Sequence, residues 1–571
     1  MRIVVQDIDK KEIENISNKL NISLDCAALL KNRNISEDIM EVICNNDFYE
    51  LLPYDSIKNI PEACSIISKY LENDDAIIYI FSDYDNDGIQ STFIAYDCLT
   101  ALTNSLDSKC KIEYYVPERK EGYGLNINWC YDIVNNDIDN NNILVITVDN
   151  GITKKYEVDY LKMNNIEVII TDHHCPQENM IPNCIIVNEL LDNENEYMGL
   201  CGAGVIFKIC SYLLCDYYED DSDYNLFYLP NVATATISDM VPITLENSIF
   251  VRNGLYMLNN KECECFDSLE HYMNFRGYKE LIPKDIAFEF GPQINACGRM
   301  GEANTAIDFM LSNDNKKLID LYNKVIVLNE QRKKKTNDLF IEVQSQINNE
   351  TDSINTVICN EAGGCAGLLA NKIMDLYNKP SIVFTEHENS YSGSVRSIEG
   401  INIQQVLKEL QDLNIVKSYG GHELACGVEV EKDKFDIFKD TINAILYKMF
   451  EQLILESNNI EQFIIVDKQI TVKDISFNTI DKYSNILFYN DLNLPRFYLE
   501  NVTIDFVKES SNNPDNIKFA FRDKTGKANA WCWRYGNIYK DMGSPRKVNM
   551  VIELEKFNTQ IVVNMIYMEA A

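Results

Sequence analysis

The stretch "IIYIFSDYDNDGIQSTFIAY", residues 77–96, runs from an apolar segment into three alternating aspartates, Asp83, Asp85 and Asp87, and then into Gly88. A short apolar run closed by charge reads as a buried strand, and the periodic segment after it reads as a helix. Alone, D-x-D-x-D-G has ordinary alternatives: a calcium-type loop, or a turn built on Asx hydrogen bonds. The EF-hand version fails, because Ile94 stands where the loop's closing Glu would be. What the carboxylates do therefore depends on what the rest of the chain places beside them.

Strand-like runs recur downstream in "CKIEYYVP", "ILVITVDNG", "IEVIITDHH" and "CIIVNEL", with helix-like segments between them. This repetition predicts a parallel sheet covered on both faces. Three more predicted strand ends carry chemistry: Asp149 in "VITVDNGIT", Asp172, His173 and His174 in "IITDHHCP", and Asp239 in "TATISDMVP". Ligands of such sheets gather outside the carboxyl ends of the strands, so the four sets point to one pocket. Carboxylates sharing a pocket repel and raise one another's pKa unless cations neutralise them. Carboxylates with neutral imidazole suit manganese or magnesium, and two such ions can activate water and stabilise a phosphoryl transition state. Adjacent histidines are often plain surface residues, but the chain has only 5 and two fall together at one predicted strand end.

At 571 residues the chain is too long for one core, and roughly three or four domains are expected. The expected order is a helical lead-in (1–70), the parallel-sheet domain (71–310), a connecting helix (311–350), a smaller mixed domain (351–455) and a β-barrel (456–571). An OB-fold is one candidate for the barrel, from short strand-like runs such as "IKFAFRD" and "KVNMVIELEKF". The connecting helix is read from Leu318, Leu321, Val325, Leu328, Phe340, Val343 and Ile347, and its "QRKKK" reads as a solvated face. No apolar run reaches about 18 residues, so no transmembrane helix and no membrane partner are expected. The N-terminus turns acidic too early for a signal peptide, and the 18 cysteines lack paired C-x-x-C spacing. Reduced thiols in a cytoplasmic protein are the expectation. The net charge of −36 opposes nonspecific binding of polyanions. It leaves room for a nucleic-acid enzyme whose groove is locally basic or carries metal ions.

The segments "DYDNDG", "VDNG", "TDHH" and "ISDMVP", in this order and spacing, resemble the four motifs of the DHH phosphoesterase superfamily. Within it they are most similar to the RecJ branch of single-strand-specific 5′→3′ DNA exonucleases. "VPERKEGYGL", "CGAGVIFKI", "FGPQINACGRMGEA", "GSVRSIEG" and "SYGGHELACG" add to the resemblance, which covers about residues 20–430 and, more faintly, the barrel. It implies an α/β fold: a parallel-sheet DHH domain and a smaller α/β DHH-associated domain joined by a long helix, with a C-terminal OB-like barrel. It implies Mn2+ or Mg2+ as cofactor, in two sites, with Asp85, Asp87, Asp149, His173 and Asp239 as ligands and Asp83 completing or supporting them. It further implies that His174 touches the scissile phosphate, that Asp172 orients the histidines, and that Arg119, Arg299, Ser394, Arg396 and His422 hold substrate phosphates. Arg299 has a bland alternative as a structural ion-pair residue, and "CGAGVIFKI" reads more simply as a helix start packed on the sheet. The chain departs from the family pattern at Phe81, where some members carry histidine, and at Asn86, where a small residue is usual. "FYNDLNLPRFYL" lacks the family's Gly-Asn-Pro, although Pro495 and Phe497 fall where the resemblance places them.

The implied activity is metal-dependent digestion of single-stranded DNA from its 5′ end to mononucleotides in DNA repair or recombination. A single-strand-binding protein or other repair proteins are the implied protein partners. Two other readings stand beside it: a DHH phosphodiesterase acting on short oligonucleotides or cyclic dinucleotides, and a replication scaffold that keeps the fold without catalysis. Intact ligand residues at every motif speak against the scaffold.

Overall fold

The structure is a computed structural model that describes residues 2–5, 9–136, 142–191, 198–218, 226–260, 267–277, 280–347, 352–459, 463–510, 516–532, 535–557 and 560–571. Residues Arg2–Val5 form strand β1, which the reading of a purely helical lead-in missed. Its partner is β12 (Phe463–Val466), paired in parallel from the far end of the chain. Four residues carry too short a pattern to reveal a strand whose partner is so distant.

The helices Lys10–Leu20, Leu24–Asn32, Glu37–Cys44 and Ile60–Leu71 lead into the first sheet. That sheet has five parallel strands, β2 (Ile77–Phe81), β3 (Lys111–Tyr115), β4 (Ile143–Val148), β5 (Glu167–Thr171) and β6 (Ile185–Val187). Their order is β3-β2-β4-β5-β6. All six residues of β4, "ILVITV", are buried, as expected of a central strand covered on both faces. The chain leaves β2 toward β3 and returns to β4 on the other side of β2. The β2/β4 boundary is therefore the topological switch point where such sheets bind ligands.

The helix Asn315–Val343 follows, with Asp314 capping it by accepting from the Lys317 N–H at 2.7 Å. A second sheet, ordered β10-β11-β9-β8-β7, comprises β7 (Asn355–Ile358), β8 (Ser381–Glu386), β9 (Ser390–Arg396), β10 (Ser418–His422) and β11 (Ala425–Glu431). Beyond β13 (Lys468–Gln469), five strands close a barrel: β14 (Arg496–Glu509), β15 (Ile517–Arg522), β16 (Lys527–Cys532), β17 (Lys547–Phe557) and β18 (Gln560–Ala570). The closure runs β14-β15-β16-β18-β17 and back to β14, with β16 and β18 parallel and the helix Gly536–Asp541 between β16 and β17. That is the arrangement of an OB-like barrel.

One hydrophobic core runs from the N-terminal helices through the first sheet into the barrel, joining Ile16, Ile80, Phe207, Phe497 and Phe519. Arg33 reinforces it with two 2.9 Å bonds to Asp467, whose side chain is 3% exposed. The second sheet buries separate cores, around Phe384 and Phe438 on one side and Leu369 and Val383 on the other.

Candidate metal and phosphate site

Asp85 caps the helix Asn86–Ser105, accepting from the Gly88 N–H at 3.2 Å, so the aspartates sit where β2 turns into that helix. A Cβ on Gly88 would lie 2.6 Å from the Asp83 carbonyl oxygen, which is why the motif ends in glycine. Asp149 follows β4 with φ +61, a left-handed conformation held by its N–H donating to the Thr171 carbonyl at 3.0 Å. Asn150 fastens the same turn: its Nδ2 donates to the Phe81 and Val148 carbonyls, and its Oδ1 accepts from Leu125 N–H. Asp239 does not follow a strand, contrary to the sequence reading; it caps the C-terminus of the helix Leu229–Ser238. Residues Leu229 through Ile237 are all buried, so this helix shows no amphipathic period and its β-branched "TATI" imitates a strand.

The structure brings Asp83, Asp85 and Asp149 together with ligand oxygens within 4.8 Å of one another. Asp87, His173 and Asp239 form a second such group, and Asp149, His173 and His174 a third. His173 Nε2 faces Asp149 Oδ1 at 3.2 Å, Asp87 Oδ2 at 3.6 Å and Asp239 Oδ2 at 3.7 Å. Burial first, then the neighbouring His174, pushes the His173 pKa down to about 3. The Leu200 backbone acts in the opposite sense and favours the protonated ring, but burial wins.

Three carboxylates gathered around one neutral imidazole repel one another unless a cation lies between them. The aspartates show the same need. Burial and then Asp85 push Asp83 well above the carboxylate range, and burial and then Asp87 do so for Asp149. Asp87 rises to about 6 from burial and Asp85. Asp239, with its side chain 32% exposed, is raised by partial desolvation and then by Asp87 and Asp85. Among the described residues, the Oδ1 atoms of Asp83 and Asp149 are buried without a hydrogen-bond partner. Oxygen-rich groups of this kind fit hard divalent cations such as manganese or magnesium.

Asp83 thus has an oxygen free for an ion, whereas both oxygens of Asp87 already accept backbone N–H groups, from Gly202 at 2.6 Å and Ala203 at 2.8 Å. Asp172 is fully engaged. Its Oδ1 accepts from the His173 and His174 N–H groups and meets His174 Nδ1 at 2.8 Å, and its Oδ2 accepts from Ile152 N–H. Although burial opposes it, this carboxylate pushes the His174 pKa up to about 9.

Beside the acidic cluster lies a basic one. The Arg119 guanidinium stands 4.9 Å over the Tyr84 ring, and Arg299 Nη1 donates to the Gly364 carbonyl at 3.1 Å. Arg396 donates to the Val395 carbonyl and packs so close to Gly367 that a Cβ there would lie 2.8 Å from its Nη2. Burial and then Arg119 push Arg299 down to about 10, and the same two causes lower Arg396. Among the described residues none of the three has a carboxylate within ion-pair distance. Ser394 lies two residues before Arg396 and shares its face of β9. His422 stacks on His174, centroids 6.1 Å apart at 22°, so β10 reaches the histidines from the second sheet.

Three parts of the site escaped the sequence reading. The "CGAG" helix start is a hydrogen-bond donor to Asp87 rather than mere packing. Tyr123 Oη donates to the Asp149 carbonyl and lies 3.1 Å from the His174 ring nitrogens; its flanking glycines, Gly122 and Gly124, were the available signal. Arg332, from "QRKKK", turns inward and contributes to the lowering of Arg299.

Two family profiles match the chain: "DHH family, N-terminal domain" over residues 77–237 and "DHHA1 domain" over residues 355–448. The single-stranded-DNA-specific exonuclease RecJ of Bacillus subtilis (strain 168) is 26% identical over 580 aligned positions, covering 97% of this chain and 68% of the relative. RecJ of Thermus thermophilus in complex with Mn2+ superposes with a TM-score of 0.79 at 21% identity, covering all of this chain and 79% of that one. An exonuclease RecJ bound to manganese gives 0.57 at 26% identity, covering 69% and 96%. No described helix is long and apolar enough to cross a membrane. With both profiles in place, the chain carries a DHH-family N-terminal domain and a DHHA1 domain, and its likeness to RecJ exonucleases runs over most of its length.

Proposed function

We propose that the chain is a metal-dependent exonuclease that hydrolyses single-stranded DNA from its 5′ end to mononucleotides, in DNA repair or recombination. The observation that carries this is the pairing, among the described residues, of an acidic cluster holding unpartnered buried oxygens with an arginine cluster free of carboxylate partners. The names of the RecJ relatives supply the substrate. Asp83, Asp85, Asp87, Asp149, His173 and Asp239 would hold two Mn2+ or Mg2+ ions. When bound, the ions supply charge neutralisation, Lewis acidity toward a phosphoryl oxygen and activation of water.

The protein supplies the rest. His173 stays neutral and offers Nε2, because burial keeps its pKa near 3. His174, raised to about 9 by Asp172, is protonated at neutral pH and donates to an oxygen of the scissile phosphate. Arg119, Arg299, Arg396, Ser394 and His422 hold substrate phosphates, and arginine's planar fork suits that task. The barrel guides the strand through stacking and backbone contacts. Domain limits near residues 70, 310, 350 and 455, a cytoplasmic setting, and a single-strand-binding protein or other repair proteins as partners belong to the same proposal.

The test is digestion of 5′- and 3′-labelled single strands with Mn2+, alongside Asp149→Ala. Early release of the 5′ label as mononucleotide by the parent, lost in the variant, is expected. Activity surviving Asp149→Ala sinks the site. Preferential cleavage of a dinucleotide in competition with a long strand moves the function to the small-substrate phosphodiesterases.

A further inference from the structure

Glu189 belongs to no motif and touches none of the candidate ligands. It follows β6 in the turn Glu189–Leu191 and is 7% exposed. Its Oε2 accepts from the N–H groups of Met198 at 2.9 Å and Gly199 at 3.0 Å, and its Oε1 accepts from Leu200 N–H at 2.8 Å. One buried carboxylate therefore gathers three consecutive backbone donors. The carbonyls of the same residues are gathered from the other side. Thr244 Oγ1 donates to the Met198 carbonyl at 2.6 Å, and Asn247 Nδ2 donates to the Gly199 carbonyl at 2.8 Å. Gly199 has φ +64, the left-handed turn that lets three successive N–H groups converge.

What this segment does next gives it meaning. The Leu200 backbone lies close enough to the His173 ring to favour its protonated form. Gly202 and Ala203 N–H hold the two oxygens of Asp87, and a Cβ on Gly202 would lie 2.6 Å from the Asp149 Cβ. Residues 198–203 thus touch three candidate ligands, one on each of three different elements, within six positions of chain. A backbone segment has no rotamers to lock it, so its position is set by whatever anchors its N–H and carbonyl groups.

We propose that Glu189 is a positioning residue for the metal site: by fixing Met198–Leu200 it sets where His173, Asp87 and Asp149 converge. Thr244 and Asn247 anchor the carbonyls but leave the three N–H groups to Glu189 alone. In the isosteric Glu189→Gln, the amide nitrogen cannot accept, so at least one of these donors is stranded in a buried place. The ligands remain, but their convergence loosens. Supporting partners of metal ligands typically alter metal affinity about 10- to 100-fold when replaced.

The inference rests on the site holding Mn2+, and the experiment separates the two. Mn2+ binding is titrated calorimetrically into the full chain and into Glu189→Gln, with thermal unfolding of both in EDTA. Thr103→Ala serves as the stability control: it removes a buried hydroxyl, bonded to the Leu99 carbonyl, at the end of the helix Asn86–Ser105 far from the aspartates. The parent is expected to bind, with Glu189→Gln about tenfold or more weaker. Raising Mn2+ is expected to restore the exonuclease rate of the variant to within about threefold of the parent, so the half-saturating Mn2+ moves and the saturated rate does not. If the parent binds no Mn2+, the site reading fails and this inference with it. If the parent binds and Glu189→Gln binds equally well, whatever its melting temperature, the site reading stands and Glu189 is structural. If Thr103→Ala weakens Mn2+ binding as much as Glu189→Gln, the effect is general loosening and the inference is overturned.

Discussion

Asp149→Asn is expected to stabilise the metal-free protein while abolishing its response to metal. The ligand oxygens of Asp83, Asp85 and Asp149 lie within 4.8 Å of one another, so each ionised pair costs about 3.5 kcal/mol at an effective dielectric near 20. The folded protein relieves this by keeping protons: burial and like charge hold Asp149 and Asp83 well above the carboxylate range and Asp87 near 6. A carboxyl whose folded pKa exceeds its unfolded value favours folding below the unfolded value, and that contribution disappears as pH rises through the folded one. In EDTA the parent should therefore lose stability from about pH 4 upward through pH 6 and beyond, by about 3 kcal/mol from Asp87 alone. The ceiling for one carboxyl at pH 8 is about 6 kcal/mol, and removing Asp149 should return on the order of 3 kcal/mol there. Urea unfolding in EDTA at pH 5 and pH 8 reads both quantities. With Mn2+ at about 100 times its Kd the parent gains about 2.7 kcal/mol and the variant far less, so the difference between the two narrows or reverses. A variant less stable than the parent in EDTA at pH 8 would refute the crowded-carboxylate account.

Asp172→Asn should drop the His174 pKa from about 9 toward its ordinary value, read from the imidazole resonances, with activity falling about 10- to 100-fold. Because the raised His174 pKa favours folding below about 6.5 and its contribution fades as pH rises through about 9, the variant should lose stability mainly at acid and neutral pH. Gly202→Ala forces a methyl to within 2.6 Å of the Asp149 Cβ, so the start of the helix Gly202–Tyr217 must retreat and Mn2+ affinity should fall about tenfold or more. Arg299→Gln should weaken single-strand affinity regardless of sequence and lower the salt slope by about 0.7, measured by anisotropy titration.

The parallel sheet was legible because β4 and β5 are short, almost wholly apolar runs that stop at a charged residue. Asp83, Asp149, Asp172 and the two histidines were legible as candidates for the same reason, each standing just outside such a run. What stayed hidden depends on distant chain. β1 takes its meaning from β12. Asp239 was placed at a strand end because a helix buried on every side has no polar face to show its period. How the aspartates differ also needed geometry, since spacing alone cannot show that both oxygens of Asp87 accept backbone donors while Asp83 Oδ1 has no partner among the described residues.

The net charge of −36 is the sharpest objection to a DNA substrate, and its distribution answers it. Residues 461–571 hold 14 Lys and Arg against 14 Asp and Glu, so the barrel carries none of the excess. The first 460 residues carry all of it, yet Arg119, Arg299 and Arg396 stand there without carboxylate partners among the described residues, beside five aspartates that must be neutralised by protons or by metal cations. Under the proposed function, phosphates held by those arginines would come close to the carboxylates, where physiological salt screens weakly. Metal should therefore govern binding as well as catalysis. Affinity for a single strand with phosphorothioate linkages at its 5′ end should fall at least about tenfold when EDTA replaces Mn2+ at low salt, and the gap should close at about 0.5 M salt as screening shortens. Equal affinity with and without metal at low salt would mean that the strand's phosphates lie away from the carboxylates, and the arginine cluster would lose its place in the site.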